Sequence, residues 1–420
     1  MFRKLGKLTV GALLWFLIKA AAVLGLLFTV VLFTLVHLPG ATVPDAPPVS
    51  ETVILDQDWG AESGSEERQT YYYTPQGASI PPGSVNNALR YDWFIHLEQA
   101  WGREKFAEPD HMRSLGFFVE DEPSPANPDH LPIGFTNHWN QQLGERLLDI
   151  NCATCHTGQI YVQNGDKRTA IRIDGGSATH AIMDLSLHQF APSLIGAMAS
   201  TYFNPLKFNR FARSVLGENY EGGRSKLRSR FWDTMIALAS QKQNSPQRKL
   251  YPVEEGYGRV DAIGRIANTV FGAHLDVDNF GVGNAPVSYP PVWNAWKFDW
   301  VQYSGSVKQP MARNMGEALG VGARINLIDP YGRPLPKEER FSSSVLVENL
   351  HKIETTLQQL GQPQWDEELL GVIDQGKAAQ GRQLFEKHCV CLLYTSDAAD
   401  EGVEVYISVV AVSLKKKFFK

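Results

Sequence analysis

Two cysteines three residues apart and followed at once by a histidine, Cys152-Ala153-Thr154-Cys155-His156, constrain this chain more than any other feature. The spacing is that of a c-type haem attachment site. Its two sulfurs form thioethers to the haem vinyl groups, and His156, on the same short turn, is set beneath the iron as proximal ligand. Zinc and a thioredoxin-like redox pair compete for the same residues. A structural zinc site normally draws four protein ligands from two Cys/His pairs, and no second intact pair exists here. A redox pair would not require the histidine and would prefer a strand-to-helix context. The expected cofactor is therefore haem c, with His156 as the metal-binding residue.

At the N-terminus Arg3, Lys4 and Lys7 precede an apolar run that is nearly uninterrupted over residues 10–38. The part spanning 20–38 alone approaches the roughly 20 residues that a spanning helix needs. The basic flank should stay in the cytoplasm. A transmembrane helix anchoring the chain on the periplasmic side of a bacterial inner membrane is expected, with Lys19 snorkelling toward the interface. A cleaved signal peptide is the alternative, since Pro39-Gly40-Ala41 follow, but the run is longer than an ordinary signal core. Export suits c-type haem, whose attachment is completed outside the cytoplasm. Four cysteines make a disulfide framework unexpected even there.

A net charge of -5 gives no sign of nucleic acid as a partner. Ten Trp and 24 Pro point to long ordered loops packed by aromatic residues. The expected fold is mainly α, a cytochrome c-like haem domain with long loops, preceded by the transmembrane helix. Residues 1–38 are read as anchor or signal, 39–70 as a flexible Pro-, Gly- and acid-rich linker, and 71–340 as the haem domain with extensions. Within that domain, 71–77 reads as loop, 91–98 as a short aromatic helix, and 123–132 as another loop. Residues 144–151 show helical periodicity just before the motif, 169–176 a strand ending in a turn, and 178–241 mostly helix. Arg172, Arg259 and Arg265 are candidates to meet haem propionates, and Arg259 is preferred; an ordinary surface ion pair is the plain alternative.

Residues 341–390 read as the start of a second cytochrome c domain, because Gly381-Arg382-Gln383-Leu384-Phe385-Glu386-Lys387-His388-Cys389 has the look of the helix that introduces another haem motif. The motif then breaks off. The string Cys391-Leu392-Leu393-Tyr394-Thr395-Ser396-Asp397-Ala398-Ala399-Asp400-Glu401 resembles a translated sequencing-library adapter, and 391–420 is expected to be an artefact of that kind. Cys389 is then the first thiol of a truncated second haem site. It is not expected to pair with Cys391, because a disulfide across one residue would be strained.

A family resemblance rests on several ordered pieces. Asn284-Ala285-Pro286, Asn294-Ala295 and Ser304-Gly305 resemble the segment between the two haem domains of bacterial dihaem cytochrome c peroxidases, with Tyr303 where that family has its inter-haem tryptophan. The chain is similar, more closely, to the peroxidase-like branch that includes the rubber oxygenases. The matching pieces there are residues 72–77, the haem motif with Thr157-Gly158-Gln159, Arg172-Ile173-Asp174-Gly175-Gly176, Gly258-Arg259-Val260-Asp261, 285–290, and Ala312-Arg313-Asn314 with Gly316 and Gly320. The resemblance runs from about residue 71 to Cys389.

What it implies is a dihaem oxidoreductase. The N-terminal haem would reduce hydrogen peroxide with electrons passed from the second haem, which a small cytochrome c or cupredoxin would supply. Glu317 is the candidate acid for proton movement, an exposed helix glutamate being the plain alternative, and Tyr303 the candidate relay between haems, with Trp293 and Trp300 as substitutes. His180, His188, His274, Met311 and Met315 are unassigned possibilities for distal ligands. Haem-dependent attack of dioxygen on an organic substrate, and electron carriage without catalysis, are the competing functions.

Overall fold

The computed structural model describes residues 49–79, 85–177, 190–243, 250–253, 256, 258–288, 290–301, 307–329 and 332–390, with the isolated positions Trp15, Lys19 and Gly25. Strand β1 (Glu51–Ile54) lies within the stretch expected as a tether. It runs parallel to β5 (Lys167–Asp174), which pairs antiparallel with β4 (Thr157–Asn164), giving the order β1-β5-β4. β4 and β5 form a hairpin because alternating Ile160, Val162, Thr169, Ile171 and Ile173 suit strands, while Gly165 takes φ +62 in the two-residue turn after Asn164. Strands β2 (Phe135–Asn140) and β3 (Glu145–Ile150) form a second antiparallel ribbon, in register from Phe135↔Ile150 to Asn140↔Glu145.

The stretch expected to be a helix ahead of the haem motif is therefore strand β3. Its backbone is bonded on both sides, by β2 and by the turns that bring Leu89 O to Leu148 N at 2.9 Å and Ala78 O to Ile150 N at 3.3 Å. With both faces covered, the four successive residues Leu147, Leu148, Asp149 and Ile150 are all buried, which a one-faced helix would not achieve.

The helices are α1 (Glu66–Tyr73), α2 (Tyr91–His96), α3 (Pro109–Ser114), the one-turn α4 (Cys152–Cys155), α5 (Phe190–Phe203), α6 (Pro205–Leu216), α7 (Tyr220–Gln243), α8 (Ala262–Ala267), α9 (Met311–Val321), α10 (Val347–Leu357), α11 (Glu367–Leu370) and α12 (Gln375–His388). α6 starts where it does because the Asn204 side chain accepts from Leu206 N and Lys207 N while Pro205 occupies the first turn. Helices α5, α6 and α7 close over a core of Phe94, Phe106, Phe117, Phe135 and Phe190, whose rings lie 5.2 to 6.4 Å apart. Burying each such ring contributes about 1.5–3 kcal/mol. A second core gathers Trp59, Tyr71, Tyr72, Tyr73, Phe118, Ala153, Ile353 and Leu357. Helix α10, from the segment expected to begin another domain, thus packs into the same core as α1.

Two expectations are corrected. The fold is not mainly α: among the described residues strands accompany the helices, and the ribbon β2–β3 ends just before the motif while the sheet strand β4 begins just after it. Nor is a transmembrane helix or membrane anchor supported, since no described helix is long and apolar enough to cross a membrane. The apolar run at 10–38 lies outside the described residues except for three isolated positions, as does the tail at 391–420.

Candidate functional site

Strand β3 delivers the chain to Asn151, which does two jobs at once. Its Oδ1 accepts from Ala153 N at 3.0 Å and caps α4. Its Nδ2 donates to the carbonyls of Tyr71, Tyr72 and Thr74 at 2.9 to 3.1 Å, fixing the motif to the end of α1. The turn of helix closes when His156 N donates to Cys152 O at 2.9 Å, and β4 begins at the next residue. Cys152, Cys155 and His156 leave on one short arc. Cys152 packs against the core of α1 and α10, and Cys155 against the phenylalanine core, so the motif is the seam between them.

That seam needs Gly134. At φ +85 it passes so close to α4 that an added Cβ would lie 2.7 Å from Thr154 Cα, and nearer still to Thr154 N and Oγ1. The same residue's carbonyl accepts from Asn151 N at 2.9 Å.

Behind the motif, the Tyr71 hydroxyl donates to His156 O at 2.6 Å. Asp174, at the end of β5, is fully buried and gathers the N-terminal segment around it. Arg68 Nε and Trp59 Nε1 donate to its Oδ2 at 2.8 and 3.1 Å, and the Tyr72 hydroxyl donates to its Oδ1. Gln57 binds its backbone in both directions. A buried carboxylate requires such partners, because an unpaired one is costly to desolvate.

Helix α9 supplies the charged wall. Arg313 and Glu317 stand four residues apart on it, and Arg313 is held by Glu354 of α10, by Gln309 and by Asn314 Oδ1. Burial pushes both thiols up to about 12, with the nearby Glu317 charge adding to the effect. Burial lowers His156 to about 4, with Arg313 beside it acting the same way. Burial raises the Glu317 carboxyl above its ordinary range, against the pull of Arg313 and with help from Glu354. Yet Cys152, Cys155, His156 and Glu317 all keep part of their surface open.

The chemistry of this donor set separates the readings. Both thiols are outside any disulfide, and each keeps part of its surface open on the one turn of α4. Among the described residues no group of three or more His, Cys, Asp or Glu side chains could hold a metal ion, which corrects the expectation that the chain is metal-binding. The residues do fit a covalently attached porphyrin: two partly open thiols on one turn, an imidazole directly after them, and the two aromatic cores against which the thiols pack. Trp293, packed against the same core as Cys152, adds a buried indole N–H with no hydrogen-bond partner among the described residues.

The fold brings Glu317 within electrostatic reach of Cys152 and Cys155. Arg259 stands exposed on the two-residue strand β6 (Arg259–Val260), opposite Ser288 of β7 (Val287–Ser288). Cys389 follows α12, a helix exposed along its whole length. Tyr303, His180 and His188 lie outside the described residues. Sequence reasoning assigned no role to Arg313, the guanidinium that acts on His156, nor to Tyr71 and Asn151, which mount the motif. Only the return of α9 from more than 150 residues away reveals the first, whereas the tyrosines at 71–73 were visible as an aromatic run.

No family model matches the chain, and no solved structure matches it. It is 31% identical over 389 residues to a protein of Sinorhizobium fredii (strain NBRC 101917 / NGR234) described as uncharacterized protein y4iJ. The match covers 85% of this chain and 60% of that relative, so the chain spans about 60% of the relative's length. None of these comparisons assigns a haem, a peroxidase activity or a membrane location.

Proposed function

We propose that this chain is a c-type cytochrome oxidoreductase of the peroxidase-like kind, in which Cys152 and Cys155 hold a haem, His156 is its proximal ligand, and hydrogen peroxide is reduced at that site. Electrons would come through a second haem begun at Cys389, from a small cytochrome c or cupredoxin. One observation supports this reading above the alternatives: the motif faces a buried acid and a guanidinium, Glu317 and Arg313, on one helix. When bound, the haem would supply an iron that exchanges electrons with the oxidant.

The chain's own residues handle protons and charge. Burial lets the Glu317 carboxyl keep its proton closer to neutrality than an ordinary glutamate, which is what a general acid needs when an oxygen–oxygen bond separates. Arg313, pinned by Glu354, offers fixed positive charge to an anionic leaving oxygen. His156 stays neutral and can offer a lone pair. Tyr71 and Asn151 hold the turn in place so that neither thiol nor imidazole has to search for its geometry.

Expression with haem maturation tests the reading. Haem that survives a denaturing gel in the wild type, and is lost when Cys152 and Cys155 are both replaced by Ser, is expected. Glu317→Gln should retain the haem and slow the peroxide reaction by about 100-fold or more. Absence of covalent haem sinks the whole reading. Dioxygen binding without peroxide turnover points instead to oxygenation of an organic substrate, and an inert low-spin haem to plain electron carriage.

A further inference from the structure

Three consecutive residues of α1, Tyr71, Tyr72 and Tyr73, are all buried, although a surface helix ordinarily buries one stripe. Their rings form a chain. The centroids of Tyr71 and Tyr72 are 5.9 Å apart, those of Tyr72 and Tyr73 are 5.9 Å apart, and Trp59 sits 5.6 Å from Tyr71. One end is the motif itself, since Tyr71 donates to His156 O. Oxidisable rings at such separations shorten each electron-tunnelling step to a few ångströms between ring edges.

A phenol gives up an electron readily only when its proton has a base to go to. Tyr71 faces a peptide carbonyl, which is no base. Tyr72 faces Asp174, whose carboxylate is already engaged by Arg68 and Trp59. Tyr73 donates to Glu120 Oε2 at 2.7 Å, and the other donor to that carboxylate is the neutral amide of Gln69 at 3.0 Å. Burial raises the Glu120 carboxyl and holds the Tyr72 and Tyr73 phenols protonated, so that oxidation at the far end must move a proton as well. The proton acceptors thus grow more available with distance from the motif.

We infer that Tyr71, Tyr72 and Tyr73 form a relay that carries oxidising equivalents away from the Cys152–His156 site and ends at the Tyr73–Glu120 pair. The inference rests on the proposed function for its oxidant, hydrogen peroxide. In each transfer one electron leaves Tyr73 through the rings of Tyr72 and Tyr71, the phenolic O–H bond breaks, and the proton forms a new O–H bond on Glu120 Oε2. A neutral tyrosyl radical remains. Re-reduction takes one electron from the donor protein and returns the proton from Glu120. Reduction of one peroxide to two waters consumes two electrons and two solvent protons, so two such transfers balance it. The relay gives the site a route for spending an oxidation when a donor is slow, and its far end is where a donor would be served.

The test does not depend on haem. In the full chain with Cys389→Ser and Cys391→Ser, a ruthenium polypyridyl photo-oxidant is coupled to the motif thiols and flashed with an oxidative quencher. Tyrosyl absorption and a tyrosyl electron-spin signal are expected. Tyr73→Phe and, separately, Glu120→Gln should remove most of that signal, while Tyr161→Phe, at an exposed tyrosine of β4, should leave it unchanged. No tyrosyl signal, or one indifferent to both substitutions, overturns the relay. The haem-loaded chain frozen after mixing with peroxide should show the same dependence. A peroxide-inert haem together with a Tyr73-dependent flash signal would remove the proposed function and leave the relay standing; reaction with peroxide without a flash signal would do the reverse.

Discussion

Adding one methyl group at Gly134 measures how tightly the motif is mounted. Gly144, ten residues on, provides the control, because it also has a left-handed backbone, φ +62, but an added Cβ there would meet nothing within 4 Å. At either site alanine suffers about 1–2 kcal/mol of left-handed strain, offset by about 0.4–1 kcal/mol from a stiffer unfolded chain, a net of about 0.5–1 kcal/mol. Gly144→Ala should cost no more than that. At Gly134 the new Cβ would also stand 2.7 Å from Thr154 Cα and closer still to Thr154 N, both backbone atoms that cannot rotate aside. Overpacking of this kind adds about 1–3 kcal/mol, so Gly134→Ala should lose about 2–4 kcal/mol in total. Urea unfolding of the two variants, followed by tryptophan fluorescence, reads the difference through the midpoint at unchanged slope. Equal losses in the two variants would refute the claim that contact with α4, rather than backbone conformation, demands glycine at 134.

Other outcomes follow from buried charge. Arg68→Ala leaves the Asp174 carboxylate buried with only Trp59 and Tyr72, and should cost about 3–5 kcal/mol in the same unfolding assay. A loss below about 1 kcal/mol would mean that the pair adds nothing beyond its shape. Without haem, stability should fall as pH drops from 6.5, the ordinary histidine value, to about 4, the folded value of His156. Across that window the unfolded chain binds a proton at this position that the folded one refuses, and acid therefore favours unfolding. His156→Gln should flatten that part of the stability profile; an unchanged profile would show that His156 is not so depressed.

The cluster at Cys152–His156 is legible in the sequence by its spacing, and strand β5 by its alternating apolar residues, whereas its hairpin partner β4 goes unread although Asn164-Gly165 marks the turn between them. Strand β3 was illegible. Glu145-Arg146-Leu147-Leu148 reads as helix on propensity, and only pairing with Phe135–Asn140 overrides it. The tyrosines at 71–73 read as loop because burial of successive positions fits no one-faced helix, and the second face is supplied by α10, nearly 300 residues later. Arg259 and Arg313 are equivalent in local sequence. What distinguishes them is that Glu354 returns beside one of the two, which no local pattern records.

Asn151 has the further effect of making the motif and α1 a single unit. One amide binds the carbonyl ends of α1 while the same side chain caps the helix carrying the thiols, so the thiols cannot shift relative to α1 without breaking several hydrogen bonds together. The charged groups are tied to the same frame by a longer route: Arg313 and Glu317 ride on α9, which is bonded to α10 through the side chains of Arg313, Asn314 and Glu354, and α10 packs in one core with α1. A substitution that loosens α1 should therefore disturb the thiols and the charged groups together.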